Sequence, residues 1–109
     1  MTTKTTATFS NGSTKTYGGT RAVTAAWAII ELATNETHAI GFSLDRQKAA
    51  KTANGHYILR IADTISNRHI NAHMIAMRAG FRSATEFNAD AKRRNAEHAA
   101  NYRIEVIDV

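Results

Sequence analysis

The sequence predicts an α+β domain, with strands first, helices in the middle and a returning strand at the end. Three observations carry this prediction. Asn11-Gly12 lies between two threonine-rich runs, polar helical patterns follow from Ser43, and apolar residues alternate from Tyr102 to Val109. Separate blocks of strands and helices are typical of α+β proteins. We expect a small antiparallel sheet, made of N-terminal hairpins and the C-terminal strand, with the helices packed on one face.

The first hairpin is predicted to join Thr2–Ser10 to Ser13–Tyr17. Asn-Gly between two β-prone runs favours a two-residue turn, because both turn positions need a positive φ. Gly18-Gly19 then ends the hairpin. Thr20 is expected to cap a short helical turn that reaches Val23.

The segment from Arg21 to Ala33 admits two interpretations. In the first, Trp27–Leu32 is a strand that pairs with a second strand, His38–Phe42, across a turn at Thr34–Glu36. The alternative is an uninterrupted helix from Arg21 to Ala33, because apolar residues also recur there at helical spacing.

Helices are predicted for the middle of the chain. Ser43 is expected to cap a polar helix, Leu44–Ala53, which Asn54-Gly55 closes. Tyr57–Ile61 fits either a short strand or the start of a longer helix. A further helix is predicted from Asn67 to Ala79.

The last predicted helix follows a turn at Gly80 and opens at Ser83. Ser83 and Glu86 have the spacing of a capping box, in which the hydroxyl accepts from a first-turn N–H and the carboxylate accepts from the N–H of Ser83. Two helices joined in this way suit a DNA groove, or form an ordinary helical hairpin.

Composition limits the functional classes. A chain of 109 residues predicts one domain, spanning residues 1–109, with a single modest core. The absence of cysteine excludes disulfides and thiol chemistry and suits a reducing cytoplasm. No apolar run approaches the length of a membrane span, so no membrane partner is expected.

The net charge of +5 is unevenly distributed. Residues 44–94 contain ten Lys/Arg and four acidic residues, which gives +6 for this segment and leaves −1 for the rest. Such a surplus favours an anionic partner, although a merely solvated basic surface is the alternative. Nine cations are predicted to contact the partner: Arg46, Lys48, Lys51, Arg68, Arg78, Arg82, Lys92, Arg93 and Arg94.

No catalytic motif is present. His69 and His73 lie four residues apart on a predicted helix, a spacing at which two imidazoles can share a metal, but the glutamate of the zinc-protease pattern is missing. The nine carboxylates are scattered, with no close pair in an apolar setting. We therefore predict a non-enzymatic protein with no catalytic residues, no cofactor and no metal. A metal-dependent nuclease built on the two histidines is a third alternative.

Aromatic residues are expected mainly in the core. A platform for stacking bases needs exposed aromatic residues among Lys and Arg on a strand face, and only Tyr17 and Tyr57 are candidates. Turn or edge packing explains both equally well. The residues predicted to be buried are Trp27, Phe42, Phe81, Phe87 and Tyr102.

Part of the C-terminal half has the residue spacing of a known DNA-binding family. An Ile-Ala pair leads into Gly-Phe, a Ser follows two residues later, a Phe lies seven after the Gly, and Lys-Arg and Tyr-Arg pairs come afterwards. These residues are Ile75-Ala76, Gly80-Phe81, Ser83, Phe87, Lys92-Arg93 and Tyr102-Arg103. The pattern resembles the second half of an AraC-type helix-turn-helix unit, over residues 75–103.

This resemblance implies a recognition helix from Ser83 to Arg94. Arg82 and Lys92–Arg94 would contact phosphates, and Thr85 or Asn88 would lie near base edges. The chain departs from the family at three positions. It has Ala91 where an aromatic residue is usual, and Ala96 and Ala99 where Gly and Pro are usual.

The front half resembles a different group, over residues 7–53. Its motifs are Thr8-Phe9-Ser10-Asn11-Gly12, Thr16-Tyr17, Ala25-Ala26-Trp27-Ala28-Ile29, and Gly41-Phe42-Ser43 before a Lys/Ala-rich helix. They resemble small accessory proteins of phages and mobile elements, and anti-CRISPR proteins share this size and build. The resemblance implies an inhibitor in the cytoplasm of a bacterial host that docks on a nucleoprotein complex. Because the chain is basic, mimicry of DNA is not expected.

The sequence thus predicts a non-enzymatic, phage-type binding protein that inhibits or modulates a CRISPR-Cas-like complex through a basic surface. Its partner would be a host nucleoprotein effector or nucleic acid. The alternative is a small helix-turn-helix transcription regulator, which usually acts as a dimer.

Overall fold

The computed structural model describes residues 3–109, with side chains from residue 4 onward. Five strands and three α-helices are present in these residues, and a turn of 3-10 helix covers Tyr57–Leu59. The α+β class is confirmed. In chain order the elements are β1 (Thr3–Thr8), β2 (Thr14–Gly19), β3 (Ala25–Glu31), β4 (Thr37–Ser43), α1 (Arg46–Asn54), α2 (Ala72–Arg78), α3 (Ala84–Ala99) and β5 (Tyr102–Asp108).

The chain divides into two compact units. One comprises Met1–Ile58 with Asn101–Val109, and we call it the sheet unit because it holds the five strands together with α1. The other, Leu59–Ala100, holds α2 and α3 and is called the helical unit. That residues 1–109 act as one domain stays a prediction.

The predicted N-terminal hairpin is confirmed as β1 and β2, but its turn differs from the prediction. Gly12 has a φ of 87°, whereas Asn11 does not have a positive φ. The loop is instead closed by Phe9, whose N–H donates to the Ser13 carbonyl at 2.9 Å. A two-residue turn is therefore wrong. Thr2, the first residue of the predicted strand, lies outside the described residues.

The sheet unit contains two sheets, so the single sheet that we expected is wrong. β1 and β2 form a two-stranded sheet, and the other three strands form an antiparallel sheet in the order β4-β3-β5. β3 is the central strand, and every residue from Ala25 to Ile30 is buried. A strand covered on both faces has a continuous apolar run, which explains why this segment also fitted a helix. The short helical turn expected between Thr20 and Val23 does not form.

The two faces of β3 contact different elements. On one face, Ala26, Ala28 and Ile30 pack with Ala7 and Phe9 from the first hairpin and its loop. Successive side chains of a strand point to opposite sides, so the alternate residues of β3 face the other way. α1 contacts this three-stranded sheet and buries two alanines, Ala49 and Ala53.

The start of α1 corrects the sequence prediction. The helix begins at Arg46, and its N-cap is Asp45, whose carboxylate accepts from the N–H of Lys48 at 2.8 Å. Ser43 instead ends β4, where its backbone pairs with Ala25. The predicted end is confirmed, because Gly55 follows the last helical residue.

In the helical unit, α2 is shorter than predicted because residues 67–71 form turns. Two side chains there bond to nearby backbone. Ser66 Oγ accepts from the N–H of Arg68 at 3.3 Å, and His69 Nδ1 accepts from the N–H of Asn71 at 3.1 Å. Such local bonds compete with helical hydrogen bonds, so the helix begins only at Ala72.

Only one of the five aromatic residues predicted for the core is fully buried. Trp27 is 6% exposed, while Phe42, Phe81, Phe87 and Tyr102 are half-buried. Phe9, which was not among the predicted core residues, is 3% exposed.

Candidate docking surface

α3 is organised by hydrogen bonds at its N-terminus and along one face. Ser83 is the N-cap, as predicted, and its hydroxyl accepts from the N–H of Glu86 at 3.2 Å. The Glu86 carboxylate accepts from the N–H of Arg82 at 3.0 Å rather than from that of Ser83. The capping box is thus half formed, and its second bond reaches one residue further back.

The cations of α3 are largely neutralised within the helix. The Arg93 guanidinium donates to Asp90 at 2.7 Å and to Glu97 at 2.8 Å, and these bonds raise the pKa of Arg93. Arg94 lies 4.0 Å from Asp90. Over Ala84–Ala99, three basic and three acidic residues cancel formally. α3 therefore carries no surplus of positive charge, although the run Lys92–Arg94 suggests one.

The surplus lies instead in the segment before α3. Residues 64–85 contain Arg68, Arg78 and Arg82 and no acidic residue. All three arginines are exposed, and among the described residues none has an ion-pair partner. Unpaired guanidinium groups are available to carboxylates or phosphates of another molecule.

The same segment exposes large apolar side chains. Ile70 is 93% exposed, Met74 53% and Met77 57%. The buried residues of α2 are both small, Ala72 and Ala76. Met74 and Met77 lie three residues apart in α2, so they occupy one face of that helix. We call residues 64–85, with these three apolar side chains and the three unpaired arginines, the docking segment.

A cleft lies within the helical unit beside the turn that follows α2. It has a volume of about 500 Å³, and its lining includes Ile61, Phe81, Phe87 and Arg94. Phe81 and Phe87 contact each other edge to face, with ring centroids 5.5 Å apart. Asp63 and Asp90 also line this cleft, so it combines apolar and charged groups.

The second predicted patch, on α1, belongs to the sheet unit. Arg46 is already engaged, because its guanidinium lies 3.3 Å from the Asp108 carboxylate and donates to the Val106 carbonyl at 3.2 Å. Lys48 and Lys51 are exposed and, within the described residues, have no carboxylate partner. Two lysines of this patch thus remain available to a partner.

The structure assigns Asn88 a different task from the base contact that the helix-turn-helix resemblance implied. Its amide donates to the carbonyl of Ile65 and accepts from the N–H of Ile65, both at 2.7 Å. Asn95, two helical turns later, binds the N–H groups of Ile61 and Ala62 at 2.8 and 2.9 Å. These asparagines hold the extended segment before α2 against α3. The sequence signal is their seven-residue spacing, which places both on one helix face.

His69 and His73, whose spacing was the basis of the metal-dependent alternative, do not lie on one helix. His73 lies in α2, whereas His69 lies in the turn before it and uses Nδ1 to accept a backbone hydrogen bond. Among the described residues, three metal-ligand atoms converge at one place, and neither histidine belongs to it. The two histidines therefore do not occupy neighbouring positions on one helix face.

Comparisons of the chain with protein-family models, with curated proteins and with solved structures find no match. The described helices include none that combines the length and the apolar character required to cross a bilayer.

Proposed function

We propose that the chain is a non-enzymatic binding protein whose docking segment binds an acidic and partly apolar surface of a nucleic-acid-handling complex. The observation that carries this proposal is the contrast between two groups of cations in one unit. The guanidinium groups of Arg93 and Arg94 form ion pairs with carboxylates, whereas those of the docking segment form none with the described residues. The resemblance of residues 7–53 to anti-CRISPR proteins would make the target a CRISPR-Cas-like complex of a bacterial host.

The apolar side chains favour a protein surface over bare nucleic acid. Contacts to a phosphate backbone are made by charged and polar groups, and apolar contact with duplex DNA is confined to base edges or steps. Free energy is gained when a partner removes the exposed side chains of Ile70, Met74 and Met77 from water. Methionine also adapts readily to an irregular partner surface.

A small DNA-binding regulator is the second candidate, and one observation favours it. α2, a short turn with Gly80 at a φ of 91°, and the Ser83-capped α3 have the order of a helix-turn-helix. Two observations disfavour a DNA-binding regulator. The basic and acidic residues of α3 cancel, and Asn88 binds the backbone of Ile65 within the helical unit. Thr85 is exposed and is the remaining base-reading residue of that proposal.

Binding to random duplex and single-stranded DNA across a salt series separates the two candidates. We expect negligible binding at physiological salt. Specific phosphate contacts would make the logarithm of affinity fall linearly with the logarithm of salt concentration. Tight binding with a steep slope that Arg82→Glu and Lys92→Glu reduce would overturn the docking proposal in favour of the regulator.

A direct test is interference by a CRISPR-equipped bacterium against a targeted plasmid. Expression of the chain should protect the plasmid, and the variant Arg68→Glu/Arg78→Glu/Arg82→Glu should lose that protection. The control is the charge swap Arg93→Glu/Glu97→Arg, which keeps the net charge and the pair between positions 93 and 97 but replaces the Arg93–Asp90 pair by repulsion. Protection lost equally in both variants would contradict a role for the docking segment in particular.

A further inference from the structure

The end of the β3–β4 hairpin brings three potential metal ligands together in the sheet unit. β3 ends at Glu31, and the turn returns the chain so that the N–H of Glu31 donates to the carbonyl of Glu36 at 2.8 Å. Asn35, with a φ of 60°, supplies the backbone reversal, and its N–H donates to the Glu31 carbonyl at 2.8 Å. His38 then lies at the start of β4.

The ligand atoms of these three side chains lie close to one another. One atom each from Glu31, Glu36 and His38 lies within 4.8 Å of the other two. His38 Nε2 is 3.6 Å from Glu31 Oε2, which is too long for a hydrogen bond. Two ligands of a tetrahedral zinc ion are separated by about 3.4 Å, given zinc–ligand distances of about 2.1 Å. The imidazole and this carboxylate thus stand near the separation that a shared ion requires.

Neighbouring groups orient the ligands. The Thr34 hydroxyl donates to Glu31 Oε2 at 2.6 Å. The ring of Tyr102 meets the His38 imidazole edge to face, with centroids 5.6 Å apart. A hydrogen-bond partner such as Thr34 fixes the direction of a metal ligand and contributes to affinity.

The turn itself is braced by the first hairpin. The Asn11 amide donates to the Asn35 carbonyl at 2.8 Å and to Thr37 Oγ1 at 2.7 Å. These bonds tie both sides of the turn to the β1–β2 loop, so the ligands do not rely on an isolated hairpin tip. Glu36 and His38 are exposed, which leaves the site open to water as a further ligand.

We propose that Glu31, Glu36 and His38 bind one divalent cation of the zinc class. The donor set decides the class, because one imidazole with two carboxylates suits Zn²⁺, whereas Mg²⁺ and Ca²⁺ prefer oxygen ligands alone. This site is independent of the docking segment and of the function proposed for it. It adds a metal centre where the sequence analysis expected none.

Calorimetric titration of the full chain with Zn²⁺, and separately with Mg²⁺, tests the site. We expect saturable binding of one Zn²⁺ per chain and a much weaker response to Mg²⁺. His38→Asn, Glu36→Gln and Glu31→Gln should each lower the zinc affinity at least about tenfold, the range found when support of a metal ligand is removed. The histidine ring protons in NMR spectra identify which imidazole responds.

Two controls make the test specific. His73→Asn removes a histidine of the pair on which the sequence analysis based a metal-dependent nuclease, and it should leave zinc binding unchanged. Circular dichroism and thermal unfolding without zinc establish that each ligand variant folds. No saturable binding by the wild-type chain, or binding that His73→Asn removes and His38→Asn preserves, would overturn the proposal.

Discussion

The side-chain amide of Asn88 pairs with the backbone of Ile65 through two hydrogen bonds, each 2.7 Å long. An amide that binds both the N–H and the carbonyl of one residue substitutes for a strand partner. The extended chain before α2 therefore runs beside α3 without forming a sheet. Ile65 and Asn88 are both partly buried, so water replaces these bonds only in part when they are lost.

The first prediction concerns this pairing. Asn88→Ala should lower the free energy of unfolding by about 1–3 kcal/mol, because it leaves two backbone groups of Ile65 without their partner. Chemical denaturation followed by circular dichroism measures the change. Thr85→Ala, an exposed position on the same helix, is the control and should change stability by less than about 0.5 kcal/mol. Unchanged stability in Asn88→Ala would contradict a structural role and reopen the base-reading one.

The second prediction concerns Gly41, which lies opposite Trp27 in the β3–β4 pair. A Cβ at Gly41 would come within 2.5 Å of the indole ring, so Gly41→Ala forces Trp27 to move. We expect a loss of about 1–3 kcal/mol in unfolding free energy and a shift in tryptophan fluorescence.

Gly18 offers a matched control for that substitution. It also lies in a strand, but no atom stands within 4 Å of its added Cβ. Gly18→Ala should therefore be close to neutral, within about 0.5 kcal/mol. Equal destabilisation by the two substitutions would show that loss of glycine, rather than contact with Trp27, sets the cost.

The third prediction concerns acid stability. Partial burial raises the pKa of Glu105, but hydrogen bonds from Ser10 and the ion pair with Arg103 outweigh it and leave the pKa below the usual 4.5. A carboxyl with a depressed folded-state pKa contributes stability that is present above pH 4.5 and is lost as the pH falls through the folded pKa.

Thermal unfolding between about pH 3 and pH 7 measures this contribution. Glu105→Gln should lower the melting temperature at neutral pH and flatten its decline in acid, and Ser10→Ala should do so to a smaller extent. Glu31 has a depressed pKa as well, so some acid dependence should persist in Glu105→Gln. A variant whose decline in acid matches that of the wild type would contradict this account.

The fourth prediction separates apolar from electrostatic docking. Met74→Ser/Met77→Ser should weaken plasmid protection in the interference assay, because both side chains are more than half exposed. Thermal unfolding measures the smaller loss of stability expected from the poorer helix propensity of serine. Because Met→Ser at these positions keeps all charges, any loss of plasmid protection reports on the apolar side chains of the docking segment. Protection equal to that of the wild-type chain would confine the interaction to the arginines.

Local sequence patterns predicted most helices and strands, because the start and end of such elements depend mainly on nearby residues. The Ser83 cap, the first hairpin around Gly12 and the closing strand from Tyr102 all follow from turn, capping and alternation preferences. The same reasoning failed at residues 67–71, where side chains of Ser66 and His69 bond the backbone and delay the helix.

The residues that a cation or a histidine contacts could be identified only in the folded chain. The run Lys92–Arg94 predicts a basic helix, but the structure pairs Arg93 with acidic residues three and four positions away. That pairing is readable in retrospect from helical spacing. The convergence of Glu31, Glu36 and His38 is not, because it depends on the conformation of the turn between β3 and β4.

The sequence by itself determined the α+β class, the surplus of positive charge in residues 44–94 and the absence of thiol chemistry. Composition and local periodicity carry that information. Only the tertiary structure decided that β3 is a central strand, that Asn88 supports the backbone, and that the unpaired arginines precede α3. These features depend on which side chains meet across turns and between elements, and the free energies of such contacts are not local properties of the chain.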